Sequence, residues 1–353
     1  MIMRLCGALA LALAITPAPG TAQDGIVQVP AFALPPSNQL SDEAKAVLLR
    51  MKAESAPDLG GDVARQRAFY QDWNDRRLAE MRRAFATSER HATMGGVGVD
   101  IVTPRAGVSA RHRGRVLINV HGGAFMWGAG SGALVEAIPI AATMGIKVVT
   151  VDYRLTPEHR YPAASEDVTA VYRELLKTYP AQNIGIYGCS AGGVITAQSV
   201  AWIGKQGLPR PGAIGTFCGT AAAYSGDSPI LAGPIAGQPP LPVTVLPPII
   251  PSPYLADVAI SDPLAYPLVS DAQIKAFPPT LLLAGGRDFA VSALTLAHRR
   301  LRAAGIDSEL FVFDGLPHAF FMWPDMPESV EAYATIARFF DAHLGTESRG
   351  RAR

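Results

Sequence analysis

The sequence predicts an α/β fold with a mostly parallel central sheet and helices on both of its faces. Short apolar runs that are typical of buried strands alternate with longer helical patterns along most of the chain. Parallel strands joined by helical crossovers produce this alternation. The chain of 353 residues is 49% hydrophobic, which is enough for a large core in one or two domains.

The alternation starts at residue 97. Strands are predicted at Val97–Val102, Arg115–Val120, Ile146–Val151, Asn183–Tyr187, Ala213–Phe217, Thr280–Leu283 and Glu309–Phe313. Helices are predicted at about 133–143, 163–178, 191–204, 290–304 and 327–344. Because such sheets bind ligands at the carboxyl ends of their strands, we expect reactive side chains in the loops that follow the strands.

Two further helices are predicted before the first strand. The first begins at Ser41, which supplies a polar cap before two acidic residues. The second runs from about Asp62 to Phe85 and mixes arginines with aromatic and aliphatic residues. An amphipathic helix with one packed face explains it better than a helix on a membrane surface. We therefore expect residues 23–96 to form an N-terminal segment whose helices cap the sheet.

The first 22 residues have the layout of a signal peptide. Arg4 precedes an apolar stretch, Leu5–Ile15, and a Pro/Gly break with small residues follows. The stretch is short for a membrane span, so cleavage near Gln23 is favoured over an uncleaved anchor. We expect an exported protein, periplasmic or secreted, with no membrane span after cleavage, and an irregular tail at 346–353.

Cleavage would leave two cysteines, Cys189 and Cys218. An oxidising compartment permits a disulfide between them, but both lie on apolar stretches that are typical of central strands. Two buried thiols are the favoured interpretation.

A proline-rich segment interrupts the alternation. Prolines recur so densely between Pro229 and Pro253 that a helix is not expected, yet the segment is too apolar for a solvated linker. It lies in a predicted insertion near 220–270. A lid or pocket wall and a loop packed on the body without a role in binding remain equally open.

Ser190 is the predicted nucleophile. Gly188 and Gly192 bracket it in a G-x-S-x-G pattern at a predicted strand-to-helix turn. The turn is tight, so the neighbours of the serine can carry almost no side chain. An ordinary glycine-rich turn between a strand and a helix is the alternative interpretation of this motif taken alone.

Two later residues supply the rest of a catalytic triad. A serine hydroxyl needs a base, and the base needs an acid that orients it. Asp288 follows the predicted strand at 280–283, and His318 follows the next strand. The order serine, aspartate, histidine is the order that α/β-hydrolases use.

An oxyanion hole is predicted at the end of the strand at 115–120. The small residues Gly122, Gly123 and Ala124 allow backbone N–H groups to face a substrate, and Ala191 adds an N–H directly after the nucleophile. His121 precedes the glycines and is expected to tie the loop to neighbouring backbone instead of acting as a base.

These motifs together resemble the hormone-sensitive-lipase-like esterases, the bacterial family IV of the α/β-hydrolase fold. That family carries HGGG, DYRLAPE and GDSAGG motifs, and this chain has HGGA at 121–124, DYRLTPE from Asp152 and GCSAGG at 188–193. The resemblance covers roughly residues 97–344 of the predicted catalytic domain at 97–345. It implies that Gly123, Ala124 and Ala191 form the oxyanion hole. It also implies that the cap includes the residues before 97 and part of 220–270, and that Asp152, Arg154 and Glu158 are structural supports.

Two departures from the family pattern affect the site. Ala124 replaces the third glycine of HGGG, which keeps the N–H but adds a Cβ. Cys189 replaces the aspartate before the nucleophile, which removes a carboxylate beside it.

The predicted activity is the hydrolysis of small-molecule esters, with short to medium acyl chains implied by the resemblance. A tentative apolar pocket consists of Phe125, Met126, Trp127 and Phe289. Lactone, carbonate or amide hydrolysis on the same site, and a binding protein on a hydrolase scaffold, are the alternatives.

Other classes of function are disfavoured. The net charge is +1 without long runs of one sign, so no nucleic-acid surface is indicated. Residues 128–133 fit a dinucleotide fingerprint, but seven residues separate its first glycine from the preceding strand. The sequence has no H-E-x-x-H motif and no paired C-x-x-C motif that would indicate a metal site, and no cofactor is expected. The oligomeric state is left open.

Overall fold

A computed structural model describes residues 29, 32–220, 222, 226–236 and 252–345. The chain divides into two compact units, Met1–Leu34 and Pro35–Arg353, and every helix and strand described below lies in the second. The predicted signal peptide at 1–22 and the predicted tail at 346–353 lie outside the described residues.

The described residues form a mostly parallel eight-stranded sheet with the order β1-β2-β4-β3-β5-β6-β7-β8. Its first two strands pair antiparallel to each other, β2 pairs antiparallel to β4, and the remaining pairs are parallel. The strands are β1 (Thr87–Met94), β2 (Val97–Pro104), β3 (Val116–Val120), β4 (Lys147–Val151), β5 (Ile184–Cys189), β6 (Ala213–Phe217), β7 (Thr280–Gly285) and β8 (Ser308–Phe313).

Helices before, between and after the strands cover both faces of the sheet. They are α1 (Asp42–Ala53), α2 (Val63–Ala84), α3 (Ser131–Met144), α4 (Ala163–Leu175), α5 (Ala191–Lys205), α6 (Ser228–Ile235), α7 (Asp271–Ala276), α8 (Val291–Ala303) and α9 (Pro327–His343). The predicted α/β architecture is confirmed.

The core has two layers because neighbouring residues of a strand face opposite sides of the sheet. On β3, Val116 and Ile118 pack into the layer that includes residues of α4, α5 and α8. Leu117, between them, packs into the opposite layer with residues of α1, α2, α3 and α9. The two N-terminal helices therefore belong to the hydrophobic core of the body.

The start of the sheet differs from the prediction. The sequence pattern places the first strand at 97, whereas β1 (Thr87–Met94) precedes it and pairs with β2 across a turn at Gly95 and Gly96. Thr87 is the only buried residue of β1, and it is 8% exposed. Because β1 is a largely exposed edge strand, its sequence has no apolar periodicity to mark it.

The expectation that the proline-rich segment contains no helix is wrong at its beginning. Ser228–Ile235 form α6, with Pro229 in the first turn and Pro234 near the end. A proline in the first turn costs little, since its missing N–H would have no partner within the helix. Residues 237–251 lie outside the described residues, so the lid interpretation stays a prediction.

None of the helices in the described part of the chain is both long and apolar enough to cross a membrane.

Candidate active site

Ser190 occupies a strained turn between β5 and α5. Its backbone has φ 58° and ψ −123°, a conformation that residues other than glycine rarely adopt. A Cβ on Gly188 would lie 2.2 Å from the carbonyl oxygen of Val120, and one on Gly192 would lie 1.8 Å from it. The steric argument made from the sequence therefore holds at both glycines, because neither position has room for a side chain.

Two of the three predicted triad residues, Asp288 and His318, are hydrogen-bonded to each other. His318 Nδ1 lies 2.8 Å from Asp288 Oδ1, and the N–H of Ala290 donates to the same oxygen at 2.9 Å. Asp288 is 1% exposed and follows β7, while His318 follows β8. The ring of Phe289 stacks on the imidazole at 4.3 Å. The aspartate thus fixes one ring nitrogen and leaves Nε2 available.

One cavity of about 380 Å³ brings the predicted groups together. Ser190 and His318 line it, as do Gly123 and Ala124 of the predicted oxyanion loop. Its apolar wall consists of Met51, Tyr70, Trp73, Trp127, Phe289, Met322 and Trp323.

The cap helices contribute directly to this wall. Tyr70 of α2 stacks on Trp127 at 4.3 Å, and Trp73 of the same helix packs edge to face with Trp323 at 5.2 Å. The sequence did not assign Tyr70, Trp73, Met322 or Trp323 to the site. Their helical or loop context is typical of packing residues, and only the fold brings them to the triad.

Two of the four predicted pocket residues lie elsewhere. Trp127 and Phe289 line the cavity, but Phe125 is 6% exposed and stacks on Tyr254 in the core at 4.5 Å. Met126 is not among the lining residues, and its carbonyl oxygen accepts a hydrogen bond from the side chain of Arg67. Phe125 also has a positive φ, 65°.

The oxyanion loop has the tight backbone that the small residues predict. Gly123 has φ 117°, and a Cβ there would lie 2.0 Å from the carbonyl oxygen of Trp127. Ala124 also has a positive φ, 51°, so it occupies a conformation that favours glycine. Ala191 is the first residue of α5, where backbone N–H groups have no partner within the helix. Gly123 and Ala124 line the cavity and Ala191 directly follows Ser190, and the oxyanion hole stays a prediction.

His121 supports the loop and stays out of the cavity. It is fully buried, its Nδ1 lies 2.7 Å from the carbonyl oxygen of Gly122, and its ring stacks on Tyr153. The hydroxyl of Tyr153 donates in turn to the carbonyl oxygen of His121. Burial lowers the pKa of His121 to about 4, so the ring is neutral at pH 7.

The predicted structural supports make ion pairs around the loop after β4. Arg154 binds Asp167 and Glu166, while Glu158 accepts two hydrogen bonds of 2.7 Å from Arg67 on α2. The hydrogen bonds from Arg67 lower the pKa of Glu158 to about 2. Because Arg67 also binds the carbonyl oxygen of Met126, it links the cap helix to the oxyanion loop. Burial raises the pKa of Asp152, which follows β4.

Glu136 is a buried carboxyl group that the sequence analysis did not single out. It lies on α3, is 5% exposed and lines the cavity. One carboxyl oxygen accepts the N–H of Gly122 at 2.7 Å and the other accepts Asn119 Nδ2 at 3.1 Å. A signal was available, because Glu136 is the one charged residue in the otherwise apolar helix.

Cys189 and Cys218 are free thiols and fully buried, as predicted. Burial raises the pKa of both thiols, and their side chains contact each other. Cys218 lies with Asp288 and His318 in a cluster whose ligand atoms are within 4.8 Å of one another. A metal there would require the thiol to ionise and the hydrogen bond between His318 and Asp288 to break, so the geometry suits the triad better.

Comparison with known proteins agrees with this architecture. The profile of a family described as alpha/beta hydrolase fold matches residues 117–322, more than half of the chain. The chain belongs to this α/β-hydrolase family. The resemblance to the hormone-sensitive-lipase-like esterases is confirmed.

Individual relatives extend the similarity beyond the profile. The crystal structure of esterase E25 is 28% identical and superposes with a TM-score of 0.75, covering 90% of this chain and 99% of that one. An esterase of the bacterial hormone-sensitive lipase family, 24% identical, shares the fold with a TM-score of 0.72 over 86% of this chain and 99% of its own. LipR of Mycobacterium tuberculosis, named as an acetyl-hydrolase, is 27% identical over 76% of this chain and 84% of its own.

Proposed function

We propose that this α/β-hydrolase is a serine carboxylesterase that hydrolyses esters with short to medium acyl chains. The observation that carries the proposal is the hydrogen bond between His318 and Asp288, which leaves Nε2 of the histidine free in the cavity that the strained Ser190 also lines. A histidine that a buried carboxylate orients, in one cavity with a strained serine, is the arrangement that nucleophilic catalysis requires.

Each group has one task in the proposed reaction. Ser190 Oγ attacks the ester carbonyl carbon while His318 Nε2 takes its proton, and Asp288 holds Nδ1 of the imidazolium. The N–H groups of Gly123, Ala124 and Ala191 stabilise the oxyanion. The imidazolium then protonates the leaving alcohol, and water attacks the acyl-enzyme by the same route to release the acid.

The cavity supports small acyl groups. Its volume of about 380 Å³ is near the lower end of ligand pockets, and bulky aromatic side chains form much of its wall. The acetyl-hydrolase among the relatives agrees with this substrate class. The apolar wall supports an apolar acyl or alcohol group, and it offers little to a charged substrate.

Hydrolysis of nitrophenyl esters from acetate to decanoate tests the proposal. We expect the highest kcat/KM among the shorter chains and a loss of several orders of magnitude in kcat for Ser190→Ala. Full activity of the variant, or no activity of the wild type on any ester, would overturn the catalytic assignment. A preference for decanoate would overturn only the chain-length assignment.

We further propose that the protein is exported, because residues 1–22 have the layout of a signal peptide. Cell fractionation and N-terminal sequencing test this. A mature chain that starts near Gln23 outside the cytoplasm is expected, and a cytoplasmic chain that retains its first residues contradicts it.

A further inference from the structure

Glu136 connects the predicted oxyanion loop to two strands of the sheet through hydrogen bonds. Its Oε1 accepts the N–H of Gly122, at the start of the oxyanion loop. Its Oε2 accepts from Asn119 on β3, whose own side-chain oxygen accepts the hydroxyl of Thr150 on β4 at 2.8 Å. The loop is therefore anchored to two central strands through this one carboxyl group.

The same carboxyl group lies next to the nucleophile. A Cβ on Gly122 would be 3.3 Å from Glu136 Oε1 and also 3.3 Å from the Cβ of Ser190. It would be 3.0 Å from the carbonyl oxygen of Cys189. Glu136 thus borders the space where the oxyanion loop meets the nucleophile turn.

Position 189 offers no carboxyl group at this junction. The family motif that the sequence resembles, GDSAGG, has an aspartate before the serine, and this chain has Cys189 there. The side chain of Cys189 contacts the thiol of Cys218 and provides no charged acceptor. Glu136 reaches the same junction from α3.

We propose that Glu136, when ionised, is a positioning residue that holds the oxyanion loop against the nucleophile turn and so stands in for the missing aspartate. This inference rests on the proposed esterase function. The carboxylate fixes the peptide of Gly122 and thereby the direction of the next two N–H groups, those of Gly123 and Ala124. It acts through the loop and takes no part in the bond changes themselves.

The electrostatic surroundings make this role sensitive to pH. Burial raises the pKa of Glu136 to about 7, opposed by the N–H of Gly122 and the amide of Asn119. From α2, the neighbouring side chain is Asn74, which packs against Gly132 one turn before Glu136 and is uncharged. The titratable groups that face Glu136 from other elements are Tyr153, Tyr187, Cys189, Cys218 and His318.

Among these five, burial raises the pKa of the two tyrosines and the two cysteines, which therefore stay neutral through the range in which Glu136 titrates. His318 is the general base of the proposed reaction and must be neutral at the start. Protonation of Glu136 should therefore add its own loss of activity as the pH falls below about 7. A variant with a neutral amide at this position lacks that loss.

Glu136→Gln tests the proposal with nitrophenyl acetate as substrate. We expect kcat to fall by about 10- to 100-fold, since a displaced oxyanion donor costs less than a deleted one. KM should change by less than about threefold, because the loop acts on the transition state. The ratio of wild-type to variant kcat/KM should shrink towards one as the pH falls below about 7, because the wild type then also loses the charge of Glu136.

Glu328→Gln is the matched control. Glu328 also accepts a backbone N–H at 2.8 Å, that of Ser41, but it does not line the cavity. We expect its kcat, and the dependence of its kcat/KM on pH, to equal those of the wild type. Thermal unfolding of both variants confirms that they are folded.

Three results would overturn the inference. The first is an unchanged kcat in folded Glu136→Gln, and the second is an equal loss in Glu328→Gln. The third is a ratio of wild-type to Glu136→Gln kcat/KM that stays constant between pH 8 and pH 5. The proposed function fails separately, through full activity of Ser190→Ala or an inactive wild type.

Discussion

Two serine–histidine–aspartate networks lie at opposite ends of the sheet. Ser190, His318 and Asp288 follow the carboxyl ends of parallel strands. At the amino end of β3, His112 lies 2.8 Å from Ser109 Oγ and 2.6 Å from Asp341 Oδ1.

The two groups share their residue types and a histidine–aspartate hydrogen bond, but they differ in the serine backbone and in the surroundings of the aspartate. Ser109 has an ordinary extended conformation with φ −59°, whereas Ser190 is held at φ 58°. Asp341 also pairs with Arg111 and Arg115, so its charge is shared with two cations. Asp288 is buried and its Oδ1 faces one histidine and one backbone N–H.

The comparison teaches that three residue types in hydrogen-bond contact do not make a catalytic site. The catalytic candidate has a strained nucleophile, an adjacent loop of small residues and an apolar cavity. The network around His112 ties the turn before β3 to α9, which is a structural task.

Matched aspartate substitutions should separate the two networks by the largest margin. We expect Asp288→Asn to lower kcat by about 10⁴-fold, since an amide no longer selects the correct tautomer of the histidine. Asp341→Asn should leave kcat unchanged and lower the free energy of unfolding by about 1–3 kcal/mol, because a buried histidine loses a charged partner. Ester hydrolysis and urea denaturation measure the two effects. Equal losses of activity would contradict the comparison.

His121 differs from His318 in burial, because it is fully enclosed and neutral. Its protonation therefore affects stability. Its folded-state pKa of about 4 lies below the ordinary value of 6.5, so the unfolded chain binds the extra proton more readily. Its contribution to stability is complete above pH 6.5 and is lost as pH falls towards 4, by about 3 kcal/mol.

The measurement is the difference in unfolding free energy between wild type and His121→Asn across this range. The difference should shrink as the pH falls. A constant difference between pH 7 and pH 4 would show that the histidine is not held neutral.

Ala124→Gly should produce the smallest effect. Relief of the positive φ at Ala124 favours glycine by about 1 kcal/mol, while the greater freedom of the unfolded glycine offsets part of it. We expect a rise in unfolding free energy of less than about 1 kcal/mol and activity within about threefold of the wild type. A marked loss of stability would show that the loop conformation is wrong.

Much of this architecture follows from local patterns. The catalytic roles of Ser190, Asp288 and His318 stay predictions, but their positions after strands were predictable from the sequence. The buried strands were predictable too, because they are short apolar runs between glycine-rich turns. The exposed strand β1 was not, since an edge strand needs no apolar face.

The rest of the site depends on contacts between distant parts of the chain. Tyr70 and Trp73 become cavity residues only because α2 packs over the oxyanion loop. Phe125 follows directly after that loop, but it packs in the core. Such directions depend on φ and on tertiary packing, which sequence spacing alone does not reveal.

Fluorophosphonate labelling followed by peptide mass spectrometry tests the central claim most directly, because the probe reacts only with an activated serine. The account predicts rapid, stoichiometric labelling of Ser190 and no labelling of Ser109. The labelling of Ser190 should be lost in His318→Gln. Labelling of Ser109, or no labelling of Ser190 in the active protein, would contradict it.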